Sequence, residues 1–297
     1  MYDTNRSSCK SDFSTQGHKT DKALLFSIFF LILWKKIMAD GKNISVFESS
    51  SQLEKGLTDL LKQISEKAIK DRGKFMLGVS GASMVKQLSA AIPAVYSEKG
   101  NPEWNKWHIF LCDERVLGFD DQESTFGAYK KDLLTKVPQL ESQFEVIDPS
   151  QNAEKNALIY HNHLVKHFGN AIWPTFDLLL LGMGPDGHTC SLFPNHPLLT
   201  ETGRAWVAPI NDSPKPPPSR ITLTLGVLNH ARVVAFVTTG SSKADTLKEI
   251  LEGGNPNKLP AGLVQPTSGK LLWLLDKEAS ARLTGVKMHS NEVRVEL

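Results

Sequence analysis

The segment most indicative of chemistry is Gly-Met-Gly-Pro-Asp-Gly-His-Thr at 182–189, which follows an apolar run at 176–181. Histidine titrates near neutral pH and is the usual general base, and a nearby carboxylate can orient it. The glycine spacing also matches a dinucleotide-binding turn. However, the acidic Asp186 would repel a pyrophosphate, and Pro194 limits any following helix. We therefore interpret the glycines as a tight turn that exposes a catalytic pair, Asp186 and His188.

Three cations stand beside other apolar runs and could hold a phosphate. Arg115 ends the charged triplet after the run 108–112, Arg220 precedes the run 221–225, and Lys243 follows the run 233–238. Cations gathered at successive strand ends form a plausible phosphate clamp. The alternatives are a solvated ion-pair cluster for Arg115 and ordinary surface charges for the other two.

A turn of small residues follows the apolar run 75–80 and precedes a helical pattern. Ser80, Gly81 and Ser83 would let backbone N–H groups and a hydroxyl approach an anion at the positive end of the helix dipole. The alternative is a plain turn in which Ser83 caps the helix.

Other reactive side chains favour structural roles. His161, His163 and His167 lie on one predicted helix, and the last two are one turn apart. That spacing can bind zinc, but no third ligand is obvious, so a solvated helix face is the preferred interpretation. Cys190 could be a nucleophile, but it has no evident activating partner beyond His188, and we interpret it as a packing residue.

The elements that must position these residues alternate along the chain. Apolar runs predict strands at 75–80, 108–112, 176–182, 221–225, 233–238 and 271–275, and helical patterns lie at about 49–70, 83–92, 124–136, 152–168, 243–252 and 277–283. Such alternation predicts an α/β fold, a single Rossmann-like domain with a mostly parallel sheet and helices on both faces. Ligands of such sheets bind beyond the carboxyl ends of the strands.

Composition and charge narrow the classes of function. The 297 residues are 40% hydrophobic and 22% charged, which is typical of a globular protein. A net charge of +2 without a long basic stretch does not imply a nucleic-acid partner. Three separated cysteines form no Cys-x-x-Cys pair and fit a reducing compartment, so we expect a cytoplasmic protein.

The first 39 residues differ from the rest of the chain. Residues 23–34 form an apolar run that is short for a membrane-spanning helix. We expect residues 1–39 to be an extension and residues 40–297 to be the catalytic domain. Membrane association through residues 23–34 is the alternative if the extension is retained.

Several segments together resemble the glucosamine-6-phosphate isomerase/6-phosphogluconolactonase family, and the match is closest to its animal 6-phosphogluconolactonases. The similarity rests on the histidine segment at 182–194, Asp-Glu-Arg at 113–115, the segment 212–225 and Gly-Ser-Ser-Lys at 240–243. It covers roughly residues 44–283.

This resemblance implies hydrolysis of 6-phospho-D-glucono-1,5-lactone to 6-phospho-D-gluconate in the oxidative pentose phosphate pathway, without a metal or organic cofactor. It assigns the base to His188 and ligand binding to Arg115, Arg220 and Lys243. The expected partner is a small sugar phosphate, with no nucleic acid and no protein partner implied, and the expected assembly is a monomer or weak dimer. The serine turn departs from the usual family pattern at Ala82, where glycine is common, so its donor set is an open question.

Two alternatives remain from the sequence. An aldose–ketose isomerase or amino-sugar phosphate deaminase shares the Asp-Gly-His turn, but those enzymes carry a supporting glutamate that the segment 191–195, Ser-Leu-Phe-Pro-Asn, lacks. A catalytically silent sugar-phosphate sensor is the other alternative, since binding residues alone do not establish turnover.

Overall fold

Eleven strands in two sheets form the framework of the part of the chain that the structure describes. The computed structural model describes residues 43–95, 103–200, 203–253, 258–293 and 295. The strands are β1 (Asn43–Phe47), β2 (Phe75–Val79), β3 (Trp107–Leu111), β4 (Asp113–Arg115), β5 (Phe144–Glu145), β6 (Leu178–Leu181), β7 (Val207–Ile210), β8 (Arg220–Leu223), β9 (Val233–Thr238), β10 (Lys270–Asp276) and β11 (His289–Ser290). The larger sheet has the order β11-β1-β10-β9-β6-β2-β3-β5, and all its pairings are parallel.

Helices cover both faces of this sheet. They are α1 (Ser50–Arg72), α2 (Ser83–Ala94), α3 (Thr125–Tyr129), α4 (Ala153–Phe168), α5 (Leu225–Leu228), α6 (Ala244–Glu252), α7 (Pro260–Leu263) and α8 (Lys277–Ser280). One core packs the sheet against α1, α2 and α3, and the other packs it against α4 to α8. The expected α/β fold with a mostly parallel, doubly covered sheet is confirmed.

Alternation along each strand divides the side chains between the two cores. In β2, Phe75, Leu77 and Val79 enter the first core, whereas Met76 enters the second. Because successive side chains of a strand point to opposite faces, a strand buried on both faces is continuously apolar. This is why the central strands appear in the sequence as unbroken apolar runs.

One predicted strand belongs to a different sheet. The run predicted at 221–225 is β8, which pairs antiparallel with β4 and β7 in a three-stranded sheet. Placing it with the parallel strands was therefore wrong, and the charged triplet at 113–115, expected after a strand, is itself a strand. An apolar run indicates that a strand is buried but not whether its neighbour runs parallel or antiparallel to it. Hydrophobic periodicity therefore could not distinguish a strand of the small sheet from one of the large sheet.

Two further boundaries differ from the sequence prediction. The helix expected at 124–136 is α3 followed by a π-helical turn at Lys130–Leu134, and the helix expected at 277–283 ends at Ser280. The proposed extension and its apolar run at 23–34 lie outside the described residues. Within the described part of the chain, no helix is long and apolar enough to cross a membrane.

The central strands determine where a ligand could bind. Strands β9, β6, β2 and β3 are adjacent, so the segments after them, beginning at Thr239, Gly182, Ser80 and Cys112, meet along one edge. These are the segments that carry most of the predicted site residues.

A histidine away from this edge makes stability depend on pH. Burial, the nearby His167 ring and Lys74 lower the pKa of His108 from about 6.5 to about 4. The folded protein therefore resists protonation that the unfolded chain accepts, and the associated stability is present above pH 6.5 and is lost between pH 6.5 and 4. We expect the free energy of unfolding to fall by about 1–2 kcal/mol over that range, after allowance for the partial exposure of the ring.

Urea unfolding at several pH values measures this dependence. In His108→Gln the slope over that range should be shallower, whereas His289→Gln should retain the native slope. An unchanged slope in His108→Gln would show that other groups cause the acid sensitivity.

Candidate active site

The carboxyl ends of the central strands surround a cavity of about 340 Å³. Seven of the eight sequence-predicted site residues line it, namely Ser80, Gly81, Ser83, Arg115, His188, Arg220 and Lys243. The eighth, Asp186, is not part of the lining and contacts the His188 ring. The structure thus brings the predicted residues together, with the carboxylate supporting the histidine.

A short hydrogen bond joins the predicted catalytic pair. The Asp186 Oδ1 atom lies 2.5 Å from His188 Nδ1. The chain reverses tightly between them, since Gly184 N–H donates to the His188 carbonyl and Gly187 N–H donates to the Gly184 carbonyl. A Cβ atom on Gly184 would lie 2.1 Å from His188 Nδ1, so only glycine leaves room for the ring at this point.

The hydrogen bond determines which nitrogen of His188 is free to accept a proton. A carboxylate only accepts, so Nδ1 carries the proton that points to Asp186, and Nε2 keeps its lone pair. Burial lowers the pKa of His188, and the Asp186 interaction only partly offsets that effect. The imidazole is therefore neutral at pH 7, as a general base must be.

Asp186 itself stays ionised. Burial acts to raise the pKa of this carboxyl, but the hydrogen bond from His188 and the charge of Lys215 lower it to about 2. Lys215 Nζ lies 3.0 Å from Asp186 Oδ2 and 3.1 Å from His188 Nδ1. The sequence analysis assigned no role to Lys215, although this residue lies in the proline-rich part of the segment 212–225 that supports the family resemblance.

Arg220 lines the cavity, but most of its N–H groups form hydrogen bonds within the protein. Its Nε donates to the Pro217 carbonyl, and its Nη2 donates to the carbonyls of Lys215 and Pro216. Its Nη1 lies 3.4 Å from Ser191 Oγ. Because a guanidinium has five N–H groups, these contacts leave one for a ligand. Arg220 is 3% exposed, so its charge is desolvated beside the cavity.

An aromatic ring contacts both this cation and the His188 ring. The Phe193 ring lies 4.9 Å from the His188 ring, measured between centroids, and the Arg220 Cζ atom lies 5.7 Å from the Phe193 centroid. Phe193 is buried and restricts the His188 ring on one side. Its place in the histidine segment was visible in the sequence, but its contact with both side chains was not.

Arg115 has more freedom to bind a ligand. Its Nη1 donates to the Glu123 backbone carbonyl at 2.7 Å and lies 3.2 Å from Glu123 Oε2. Its buried Nε has no hydrogen-bond partner within the described residues. The adjacent Glu114 carboxylate does not hold the Arg115 side chain, because it accepts hydrogen bonds from the Arg115 backbone N–H and from the N–H groups that begin α3.

The small-residue turn leaves several donors unused. The backbone N–H groups of Gly81, Ala82 and Ser83 make no hydrogen bonds to the described residues, and neither does the buried Ser80 hydroxyl. The sequence analysis left the donor set of this turn open because alanine stands at position 82, where glycine is common in the family. The φ of Ala82 is +54° with ψ at −128°, a conformation that glycine adopts readily and alanine only with strain.

Lys243 enters the cavity from the short 3₁₀ turn Ser241–Lys243. The Asp276 carboxylate accepts a hydrogen bond from Gly240 N–H and so fixes the start of that turn. Lys243 Nζ donates to the Thr239 carbonyl at 2.8 Å, which leaves two of its three N–H groups for a ligand.

The remaining reactive side chains lie elsewhere or are inert. His163 and His167 contact the Glu145 carboxylate at 3.1 and 2.6 Å, so their helix face packs on β5 and is not simply solvated as expected. Cys190 lines the cavity but is buried, and its contact with Cys112, together with burial, raises its thiol pKa well above the usual value. The thiol is therefore a poor nucleophile at neutral pH.

The family described as glucosamine-6-phosphate isomerases/6-phosphogluconolactonase matches residues 48–273. The human and bovine proteins named 6-phosphogluconolactonase are each 50% identical over 244 residues, which cover 82% of this chain and 94% of each relative. A probable 6-phosphogluconolactonase of Drosophila melanogaster is 42% identical over 240 residues, covering 80% and 94% of the two chains.

The chain is also similar to several solved structures. The 6-phosphogluconolactonase of Thermotoga maritima is 27% identical with a TM-score of 0.65, covering 78% of this chain and all of that one. The enzyme of Trypanosoma brucei is 25% identical with a TM-score of 0.68, covering 82% and 99%. A glucosamine-6-phosphate deaminase at 19% identity and a TM-score of 0.62 shares the fold.

The strained turn can be tested directly. Replacing Ala82 by glycine should remove steric strain of about 1–3 kcal/mol, while the added freedom of the unfolded chain offsets about 0.4–1 kcal/mol. We therefore expect Ala82→Gly to raise the free energy of unfolding by about 1 kcal/mol, measured by urea unfolding. The control Ala90→Gly, at an ordinary helical position in α2, should lower it by a similar amount. A loss of stability in both variants would show that the backbone at Ala82 is not strained.

Proposed function

We infer that the chain hydrolyses 6-phospho-D-glucono-1,5-lactone to 6-phospho-D-gluconate in the oxidative pentose phosphate pathway. It belongs to the glucosamine-6-phosphate isomerase/6-phosphogluconolactonase family, and over 244 aligned residues it is 50% identical to the human and bovine 6-phosphogluconolactonases. The observation that carries the mechanism is the His188 ring, held through Nδ1 by Asp186, in a cavity lined by three cations.

His188 acts as the general base in this proposal. Its Nε2 lone pair takes a proton from a water molecule as the water oxygen attacks C1 of the lactone, and the carbonyl oxygen becomes an oxyanion. When the bond from C1 to the ring oxygen breaks, the protonated His188 returns the proton to that oxygen. The products are a carboxyl group, which ionises, and a free hydroxyl. Asp186 is a positioning residue that stabilises the transient imidazolium.

The phosphate of the substrate anchors the ring for this attack. Lys243, with two free N–H groups, and the unused N–H groups of the turn 81–83 are the proposed donors. Arg220 adds its charge and one N–H group, and Ser80 and Ser83 contribute hydroxyls. Arg115, with its unpartnered Nε, contacts either the phosphate or the lactone oxygens. Binding energy from the phosphate lowers the entropic part of the barrier, because it holds C1 in place.

Removal of the base should separate binding from turnover. We expect His188→Ala to bind 6-phosphogluconate nearly as well as the native enzyme, while kcat for lactone hydrolysis falls by about 10²–10⁴-fold. Turnover is followed as acid release with the spontaneous hydrolysis subtracted, and binding is followed by calorimetry.

The matched control is His230→Ala, since His230 stacks on Trp173 away from the cavity. It should retain native kcat. A near-native kcat in His188→Ala would exclude His188 as the base. Ammonia release from glucosamine 6-phosphate, measured with the native enzyme, tests the deaminase alternative.

We expect catalysis to depend also on the space that Gly184 leaves for the His188 ring. In Gly184→Ala the new methyl group would overlap the His188 ring, so we expect kcat to fall at least 10-fold through misplacement of the base. Gly118→Ala, where a Cβ meets open space, should have native kcat. Full activity of Gly184→Ala would show that the turn tolerates a displaced ring.

A further inference from the structure

The side chain of Lys215 connects the proline-rich segment to the catalytic pair. Its Nζ lies 3.0 Å from Asp186 Oδ2, on the carboxylate oxygen that does not contact His188, and 3.1 Å from His188 Nδ1. Neither Lys215 nor Asp186 lines the cavity, whereas His188 does. Lys215 is therefore placed to act on the base and not on the substrate.

The backbone of Lys215 is fixed on both sides. Its N–H and its carbonyl both bond to the Ser213 hydroxyl, and the carbonyl also accepts from Arg220 Nη2 at 2.8 Å. Arg220 additionally holds the carbonyls of Pro216 and Pro217. Prolines on either side of Lys215 restrict the backbone further. A lysine carried by such a segment reaches its partners at low entropic cost.

The two contacts of Lys215 Nζ have different characters. The ammonium group donates to Asp186 Oδ2, which leaves Oδ1 to accept the proton of His188 Nδ1. Because Nδ1 already carries that proton, it cannot accept from Lys215, and the 3.1 Å approach is a contact between a positive charge and the ring. This approach disfavours a second positive charge on the imidazole.

We propose that Lys215 is a positioning residue that holds Asp186 in the orientation fixing the His188 tautomer and keeps the resting imidazole neutral. This inference rests on the proposed function, in which His188 is the base. Loss of Lys215 would release one carboxylate oxygen and remove the charge that opposes protonation of the ring.

The charged groups around His188 have opposing effects on protonation of its ring. Asp186 and Asp113 favour the protonated ring, and Lys215 opposes it. The Arg220 guanidinium lies against the Phe193 ring, which also contacts the His188 ring. A neutral substitution of Lys215 therefore shifts the balance toward Asp186 and Asp113, and the pKa of His188 rises.

Three variants test the proposal. Lys215→Met keeps the length of the side chain without the charge, and Lys215→Arg keeps the charge. Lys106→Met is the matched control, because Lys106 forms an ion pair of similar exposure with Glu103, away from the cavity. Ring titration by NMR, with the His188 signal assigned from its loss in His188→Gln, gives the pKa of His188 without reference to activity.

In Lys215→Met we expect the His188 titration and the acid limb of kcat/KM to move together to higher pH. The loss of kcat/KM should be several-fold greater at pH 6 than at pH 8. Lys215→Arg should restore both midpoints toward the native values, and Lys106→Met should change neither.

An unchanged His188 titration in Lys215→Met, in a variant that unfolds at the native temperature, overturns the proposal. So does a rise of KM at an unmoved acid limb, since that result would make Lys215 a substrate ligand. A shifted His188 titration with an unmoved acid limb supports the influence of Lys215 on the ring and refutes His188 as the base, so failure of the proposed function is distinguishable.

Discussion

The hydrogen bond between Asp186 and His188 is the interaction on which the site depends. It assigns the single proton of the neutral ring to Nδ1 and leaves Nε2 free, which no amount of nearby positive charge could do. The neighbouring features follow from it. Gly184 lacks a Cβ because the ring occupies that space, and Phe193 packs against the ring from another direction. The ring is therefore held both by a charge and by packing.

The second constraint is the parallel sheet, which brings the site residues together at one edge. Parallel strands deliver their carboxyl ends to one edge, so residues distant in sequence meet without long loops. The small antiparallel sheet places two cations side by side, because its register sets Arg115 of β4 opposite Arg220 of β8. Two cations thus come from strands, which hold them more rigidly than loops would, and only Lys243 depends on a turn.

Much of this arrangement could be predicted from the sequence, for physical reasons. Strands buried on both faces must be apolar throughout, so β2, β3, β6 and β9 were identifiable, and a glycine-bounded turn after one of them marked His188. The direction of β8 could not be predicted, because burial is the same for either direction. Lys215 was missed since its partners lie nearly thirty residues away in sequence. The positive φ of Ala82 contradicts alanine's own preference, so only the fold reveals it.

In the proposed mechanism, one cavity has to bind a phosphate dianion and also contain a neutral base, and these two tasks conflict electrostatically. Each cation that attracts the phosphate also opposes protonation of the base, which helps the resting enzyme but raises the energy of the imidazolium formed during reaction. Asp186 counters this effect through direct contact with the ring. In this mechanism the negative charge of a bound phosphate would offset the cations, and the imidazolium would become easier to form. Substrate binding and base strength would in this way be coupled through charge.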